Sequence, residues 1–277
     1  TYESLDDTSA TVWDDLTVTG EAWVEPASGP LVVSDSVVRS QSGRIIQNTL
    51  TDTASTSAEV STYAFDAAGR LVTAVIPHHT LTYGYGTAAC GVADAGKNGN
   101  RTSFTDDFDG NVTSVAYCYD NADRLTGTSV TNAPAGASPV AGGNLTTTGP
   151  GATLAYDAHG NTTVLADQTL TYDVADRHVK TVLDDGTEIT YLLDAGGRTV
   201  ARTVAHSPTT SENGTIRYLA GGGIADGTGA VLQWVVSLPG GVSVTLDADG
   251  SQRWGFPNLH GDVIVATDGD GHRVGAR

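Results

Sequence analysis

Carboxylates spaced two apart ahead of a glycine occur three times in this chain, in Asp247-Ala-Asp249-Gly250, Asp268-Gly-Asp270-Gly271 and Asp106-Asp107-Phe-Asp109-Gly110. Some calcium loops begin this way, because alternate side chains bring hard oxygens onto one cation. Such a loop closes on a bidentate carboxylate at about position twelve. Counted from Asp247 that position is Asn258, and counted from Asp268 it falls beyond Arg277. The three clusters are therefore read as turns, and no metal ligand is assigned. Asp184 and Asp185 are acids of the type used in glycoside hydrolysis, a chemistry decided by separation in space and not by adjacency in sequence. The seven histidines, His78, His79, His159, His178, His206, His260 and His272, show no His-Glu-x-x-His zinc spacing, and no Gly-x-Ser-x-Gly elbow presents a nucleophile. His260 has no nucleophile or second acid beside it and is read as a turn residue. Gly221, Gly222, Gly223, Gly227 and Gly229 lack the dinucleotide spacing and any following Lys-Ser/Thr, so they too read as loop. No catalytic residue and no cofactor is assigned.

Cys90 and Cys118 frame a stretch rich in Gly and Asn. They form a disulfide in an oxidising compartment or stay as two buried thiols, and spacing does not choose between these. A net charge of -18, with 14 Lys and Arg against 32 Asp and Glu, argues against nucleic acid as a partner, since phosphate binding needs cations that displace counterions. No apolar run approaches the roughly 18 residues of a membrane span, and no signal peptide is visible.

The elements that carry these residues repeat. One register recurs: hydrophobic, any residue, hydrophobic or tyrosine, aspartate, two residues, glycine or aspartate, then arginine or asparagine. It supplies Tyr63, Phe65, Asp66, Gly69 and Arg70, then Tyr117, Tyr119, Asp120, Asp123 and Arg124. Further copies carry Leu154, Tyr156, Asp157, Gly160 and Asn161, and Leu170, Tyr172, Asp173, Asp176 and Arg177. A weaker copy has Tyr191 one step early, beside Asp194, Gly197 and Arg198; another lies around Asp107 and Gly110, and degenerate ones at Gly43, Gly250 and Gly271. Alternate positions on a strand share a face, so Tyr63 and Phe65 point the same way. Aspartate accepts backbone hydrogen bonds from the residues after it, and glycine supplies the positive φ of a tight reversal, which Asp123 and Asp176 do less comfortably. Each copy is thus a strand, a turn and a returning strand. Turns are expected at 67–69, 121–123, 158–160, 174–176 and 195–197. With 34 Gly, 6% aromatic residues and no helical periodicity, the chain is read as all-β, built of antiparallel hairpins.

This register resembles the tyrosine-aspartate (YD) repeats of the Rhs family, which also includes the teneurin shell and the insecticidal toxin-complex shell. The likeness runs from about Ser40 to the C-terminus. A second feature, Trp254 to Gly271, is similar to the segment that opens the Rhs-associated core in actinobacterial members. The resemblance implies a spiral sheet of hairpins forming an arc of a hollow shell, in a secreted or cell-surface protein of the polymorphic-toxin type. Its partners would be the rest of the shell and a C-terminal toxin or other cargo. The chain stops at Arg277, before any autocleavage segment or toxin, and contains no Met, so it is expected to be an internal piece with open sheet edges near both ends.

Residues 1–35 hold Trp13, Trp23, Pro26, Gly29 and Pro30 and no repeat; 36–277 is read as the repeat region, entering the core segment at about 254. Thr131 to Gly151 and Ala220 to Gly229 read as exposed loops. The alternative function is an extracellular adhesion or carbohydrate-binding array displaying those loops, with or without calcium. An adhesin of that kind would cluster aromatics there, and the first loop has none.

Overall fold

The computed structural model describes residues 12–14, 17–24, 31–52 and 57–274, with side chains from Val33 onward. Pro26, Gly29 and Pro30 lie outside the described residues. Ten antiparallel strands follow one another in chain order across a first sheet. They are β1 (Val12–Asp14), β2 (Thr17–Val24), β3 (Leu31–Arg39), β4 (Ile45–Asp52), β5 (Glu59–Phe65), β6 (Leu71–Ile76), β7 (His79–Gly84), β8 (Ser103–Phe108), β9 (Asn111–Tyr119) and β10 (Leu125–Thr131). Twelve more form a second sheet, again in chain order. These are β11 (Leu154–Tyr156), β12 (Thr162–Leu165), β13 (Gln168–Tyr172), β14 (His178–Leu183), β15 (Glu188–Leu193), β16 (Thr199–Ala205), β17 (Gly214–Tyr218), β18 (Gly223–Asp226), β19 (Val231–Ser237), β20 (Ser243–Asp247), β21 (Gln252–Pro257) and β22 (Val263–Asp268).

All five expected motif turns join consecutive antiparallel strands. The alternation read from sequence reappears as burial. Along β5 the residues Glu59, Ser61, Tyr63 and Phe65 are half-buried while those between are exposed, and β13 repeats this with Gln168, Leu170 and Tyr172. The copies of the motif do not sit in one continuous sheet; the hairpins are divided between two.

The chain divides into two compact units, Thr1–Tyr63 with Leu219–Arg277, and Ala64–Tyr218. In the first, Val33 and Leu50 from β3 and β4 pack with Val242, Phe256 and Val265, flanked by Leu238, Trp254 and Ile264. Strand alternation explains two buried acids here. Val33, Asp35 and Val37 share a face of β3, and register places Asp52 opposite Val33 and Leu50 opposite Asp35. Asp35 is 2% exposed and accepts from Asn48 Nδ2 and from the backbone N–H of Leu259 at 3.1 Å. Asp52 is 5% exposed and takes both terminal nitrogens of Arg273 at 2.8 Å. The last residues also fold back on β22, with Thr267 opposite Arg273 and the Val274 N–H donating to the Ala266 carbonyl at 3.0 Å. The tail therefore covers the end of β22, at 266–268.

In the second unit the loop after β10 is exposed over much of its length, as expected, but its residues 145–147 form a seam. The Thr128 N–H donates to the Leu145 carbonyl and the Thr147 N–H to that of Thr126, while the Thr146 carbonyl accepts from Thr153 and Leu154, at 3.0–3.1 Å. Segment 145–147 therefore bonds to β10 on one side and reaches the start of β11 on the other. Leu145 and Leu154 are 6% and 2% exposed. Gly127 permits the approach, since a Cβ there would lie 2.9 Å from the Leu145 carbonyl oxygen. A single helical turn, α1 (Pro139–Gly142), begins with Ser138 Oγ accepting from the Ala141 N–H at 3.3 Å. The other expected loop, 220–229, contains β18, with Ala225 1% exposed. Glycine punctuation hid this strand, whose pairing runs through backbone groups that carry no sequence signal.

Candidate functional site

The recurring chemical unit is the turn itself. In the copy at 66–70 the Asp66 N–H donates to the Arg70 carbonyl and the Gly69 N–H to that of Asp66, both at 2.9 Å. Asp66 Oδ1 accepts the Arg70 N–H at 2.9 Å, and Oδ2 takes Nε at 2.8 Å and Nη2 at 2.7 Å. One carboxylate thus closes both the backbone turn and a forked ion pair. The same bonds join Asp120 to Arg124, Asp173 to Arg177 and Asp194 to Arg198. In the 157–161 copy Asn161 donates to Asp157 from its backbone at 2.9 Å and its side chain at 3.0 Å. The arginine is part of the turn, a role the sequence reading missed although arginine stands four after Asp66, Asp120, Asp173 and Asp194. At Gly43 a serine substitutes, Ser40 Oγ accepting the Arg44 N–H at 3.3 Å. Asp226, Asn258 and Asp268 cap similar turns.

These bonds hold the Asp66, Asp120, Asp157, Asp173 and Asp194 carboxyls below the usual carboxylate range. The leading cause is the Arg70 or Arg198 backbone N–H for Asp66 and Asp194, the guanidinium for Asp120 and Asp173, and the Asn161 amide for Asp157.

Where glycine is replaced, the substitute links turns. Gly69, Gly160 and Gly197 have φ of 80°, 95° and 81°, and Asp123 and Asp176 adopt 59°. Asp176 Oδ1 accepts Asn161 Nδ2 and pairs with His159 Nδ1, each at 2.8 Å, tying its turn to the preceding one. Its carboxyl is lowered chiefly by the His159 bond, and the same bond raises the His159 imidazole. Asp123 Oδ1 accepts Asn98 Nδ2 at 3.1 Å and Asn100 Nδ2 at 2.7 Å. Arg177 reaches the next turn, donating from Nη1 to the Asp194 carbonyl at 3.3 Å.

The motif tyrosines Tyr63, Tyr117, Tyr119, Tyr156 and Tyr172 are half-buried rather than buried. Tyr156 donates its hydroxyl to the Leu125 carbonyl at 2.8 Å beneath Arg124, and Tyr119 donates to the Arg101 carbonyl at 3.0 Å. Burial pushes both phenols up, in keeping with neutral donors. His178 lies between the rings of Tyr172 and Tyr191, at 5.6 and 5.1 Å.

This arrangement of hairpins is similar to stretches of known toxin structures. A Tc holotoxin pore of Photorhabdus luminescens aligns at 14% identity and TM-score 0.54, over 93% of this chain and 16% of that one. The crystal structure of TcdB2-TccC3 aligns at 15% and 0.56, over 94% and 14%, and a form without the hypervariable C-terminal region at 12% and 0.55, over 93% and 16%. The chain shares the fold of those stretches. It spans about a sixth or less of the length of those chains. No family model matches it, and no curated protein matches it in sequence.

Within this fold the remaining candidates fall into place. Cys90 and Cys118 are joined as a disulfide, their Cα atoms 5.0 Å apart. Asp268, Asp270 and His272 bring one ligand atom each within 4.8 Å of one another, but Asp268 Oδ1 is already engaged by the Asp270 and His272 N–H groups. Asp107 Oδ1 accepts the Gly110 N–H at 2.7 Å, and Asp249 Oδ1 that of Ser251 at 2.9 Å. Asp185 accepts the Thr187 N–H at 2.8 Å, and Asp184 borders a cavity of about 300 Å³ beside Leu145. His260 is exposed, its N–H on Asn258 Oδ1. Among the described residues no helix is long and apolar enough to cross a membrane.

Proposed function

We propose that the chain is a wall segment of a YD-repeat shell in a secreted or cell-surface Rhs-type toxin protein. The reading rests on the aspartate-arginine turns, which lock consecutive hairpins and in places bond to the next turn, making a rigid wall rather than a site. In this reading 36–277 is the repeat region, preceded by a non-repeat segment. The motif aspartates and tyrosines have no catalytic duty, and the partners are the remaining shell and a C-terminal cargo. The similar structures are those of a Tc holotoxin pore and of TcdB2-TccC3, and the disulfide suits an oxidising compartment. The adhesin alternative draws less support, because part of its longest loop, 145–147, is bonded into the seam and the exposed remainder carries no aromatic side chain.

The test is protease protection in the full-length polypeptide that contains this segment. Sequence downstream of Arg277 should survive a protease that digests the same sequence expressed alone. Equal digestion of the two would overturn the shell reading.

A further inference from the structure

Between β7 and β8 the chain leaves its hairpin and lays segment 85–101 across two motif turns. Arg70, already bound to Asp66, donates from Nη1 to the Gly96 carbonyl at 2.8 Å and stacks over the Tyr85 ring at 4.3 Å. At the other end Asn98 and Asn100 donate to Asp123, and the Arg101 carbonyl accepts the Tyr119 hydroxyl. In the middle Gly91 pairs with Tyr119, the Val92 N–H donates to the Tyr119 carbonyl at 2.9 Å, and Cys90 is bonded to Cys118 of β9.

The segment has little core of its own. Its buried apolar side chains are Ala88 and Ala95, 8% and 1% exposed. Two methyl groups and scattered hydrogen bonds are set against the conformational entropy of ordering the whole segment. The covalent tie shifts that balance by confining the segment near β9. The strands around it need no such tie, since β7 and β8 pair continuously from His79 opposite Phe108 to Gly84 opposite Ser103. Both cysteines are only half-buried, so a small thiol can reach them.

We infer that the Cys90–Cys118 bridge is a redox latch, whose reduction frees segment 85–101 from the turns at 66–70 and 120–124 and leaves the sheets paired. A dithiol reductant attacks one sulfur and forms a mixed disulfide, then closes to its own disulfide as the second thiol leaves. The S–S bond breaks, and two electrons and two protons end on Cys90 and Cys118. The latch is independent of cargo and of the shell reading.

Peptide-resolved hydrogen exchange on the full chain, oxidised and then treated with dithiothreitol, tests this. Mass spectrometry first establishes the bridge and then the gain of two hydrogens. Exchange across 86–101 should rise at least tenfold on reduction, with β13–β16 unchanged, and should fall again on reoxidation. The Cys90→Ser/Cys118→Ser variant should match the reduced protein in either buffer. Free thiols in the oxidised protein, unchanged exchange in 86–101 after reduction, or a loss of protection across all strands would each overturn the latch, the last by showing a staple for the whole unit.

Discussion

Aspartate in this repeat works through both oxygens, and the two roles separate by mutation. Asp173→Ala removes the turn acceptor and the partner of Arg177, whereas Arg177→Lys keeps a charge but loses the fork. Both variants should unfold at lower urea than the parent, Asp173→Ala by more. The lowered carboxyl of Asp173 fixes the sign of the pH dependence. Its contribution is complete above the ordinary aspartate value near pH 4 and is lost as pH falls through the lowered one. Urea midpoints of Asp173→Asn should therefore fall less steeply below about pH 4 than those of the parent. His159 has the opposite sign. Its raised imidazole stabilises below about pH 6.5 and the contribution fades as pH rises through the raised value. His159→Ala should lower the melting midpoint at pH 5.5 and leave it nearly unchanged at pH 9; an equal loss at both would remove the ion pair from the account. Tyr156→Phe deletes the hydroxyl with its bond to the Leu125 carbonyl and should cost about 1 kcal/mol by chemical denaturation.

At the scale of elements, the seam between β10 and β11 is where the two sheets meet within one unit. Its side-chain anchors are Leu145 and Leu154, and its close approach depends on Gly127. Leu145→Ala should cost about 2–3 kcal/mol, toward the lower end for a buried leucine because the neighbouring cavity already loosens the packing. Gly127→Val should cost about 1–3 kcal/mol through crowding of the Leu145 carbonyl. Hydrogen exchange in both variants should rise first at 126–128 and 145–147. Motif hairpins were legible because their signals are local: alternation on the strands, Asp and Gly or Arg at fixed offsets in the turn. The seam was not legible, since an Ala/Gly/Pro/Thr stretch offers one large apolar side chain and pairs largely through backbone groups, with Thr128, Asn144 and Thr153 side chains adding bonds. Strand β18 was missed for the same reason.

For the whole molecule, the first unit joins the beginning of the described chain to its end. Phe256 is 4% exposed among β3, β4 and β22 residues, and Phe256→Ala should cost about 3–5 kcal/mol. Arg273→Ala leaves the Asp52 carboxylate buried without its forked partner and should cost about 3 kcal/mol. Exchange should then increase on β3 and β4 as well as on β22. An effect confined to β22 would mean that the two ends fold independently.

Sequence by itself determined the all-β class, the hairpin as the unit and the position of every strong motif turn, because each depends on interactions within about five residues. It also put Tyr63 with Phe65 on one face, which strand geometry alone requires. Only the tertiary structure decided that the hairpins divide between two sheets, that Cys90 meets Cys118, and that Asp35 and Asp52 are buried against Leu259 and Arg273. Those contacts join residues far apart in the chain, and the alternation that buries Val33 and Val37 buries Asp35 with them, leaving one of its two partners on neighbouring β4 and the other more than two hundred residues later.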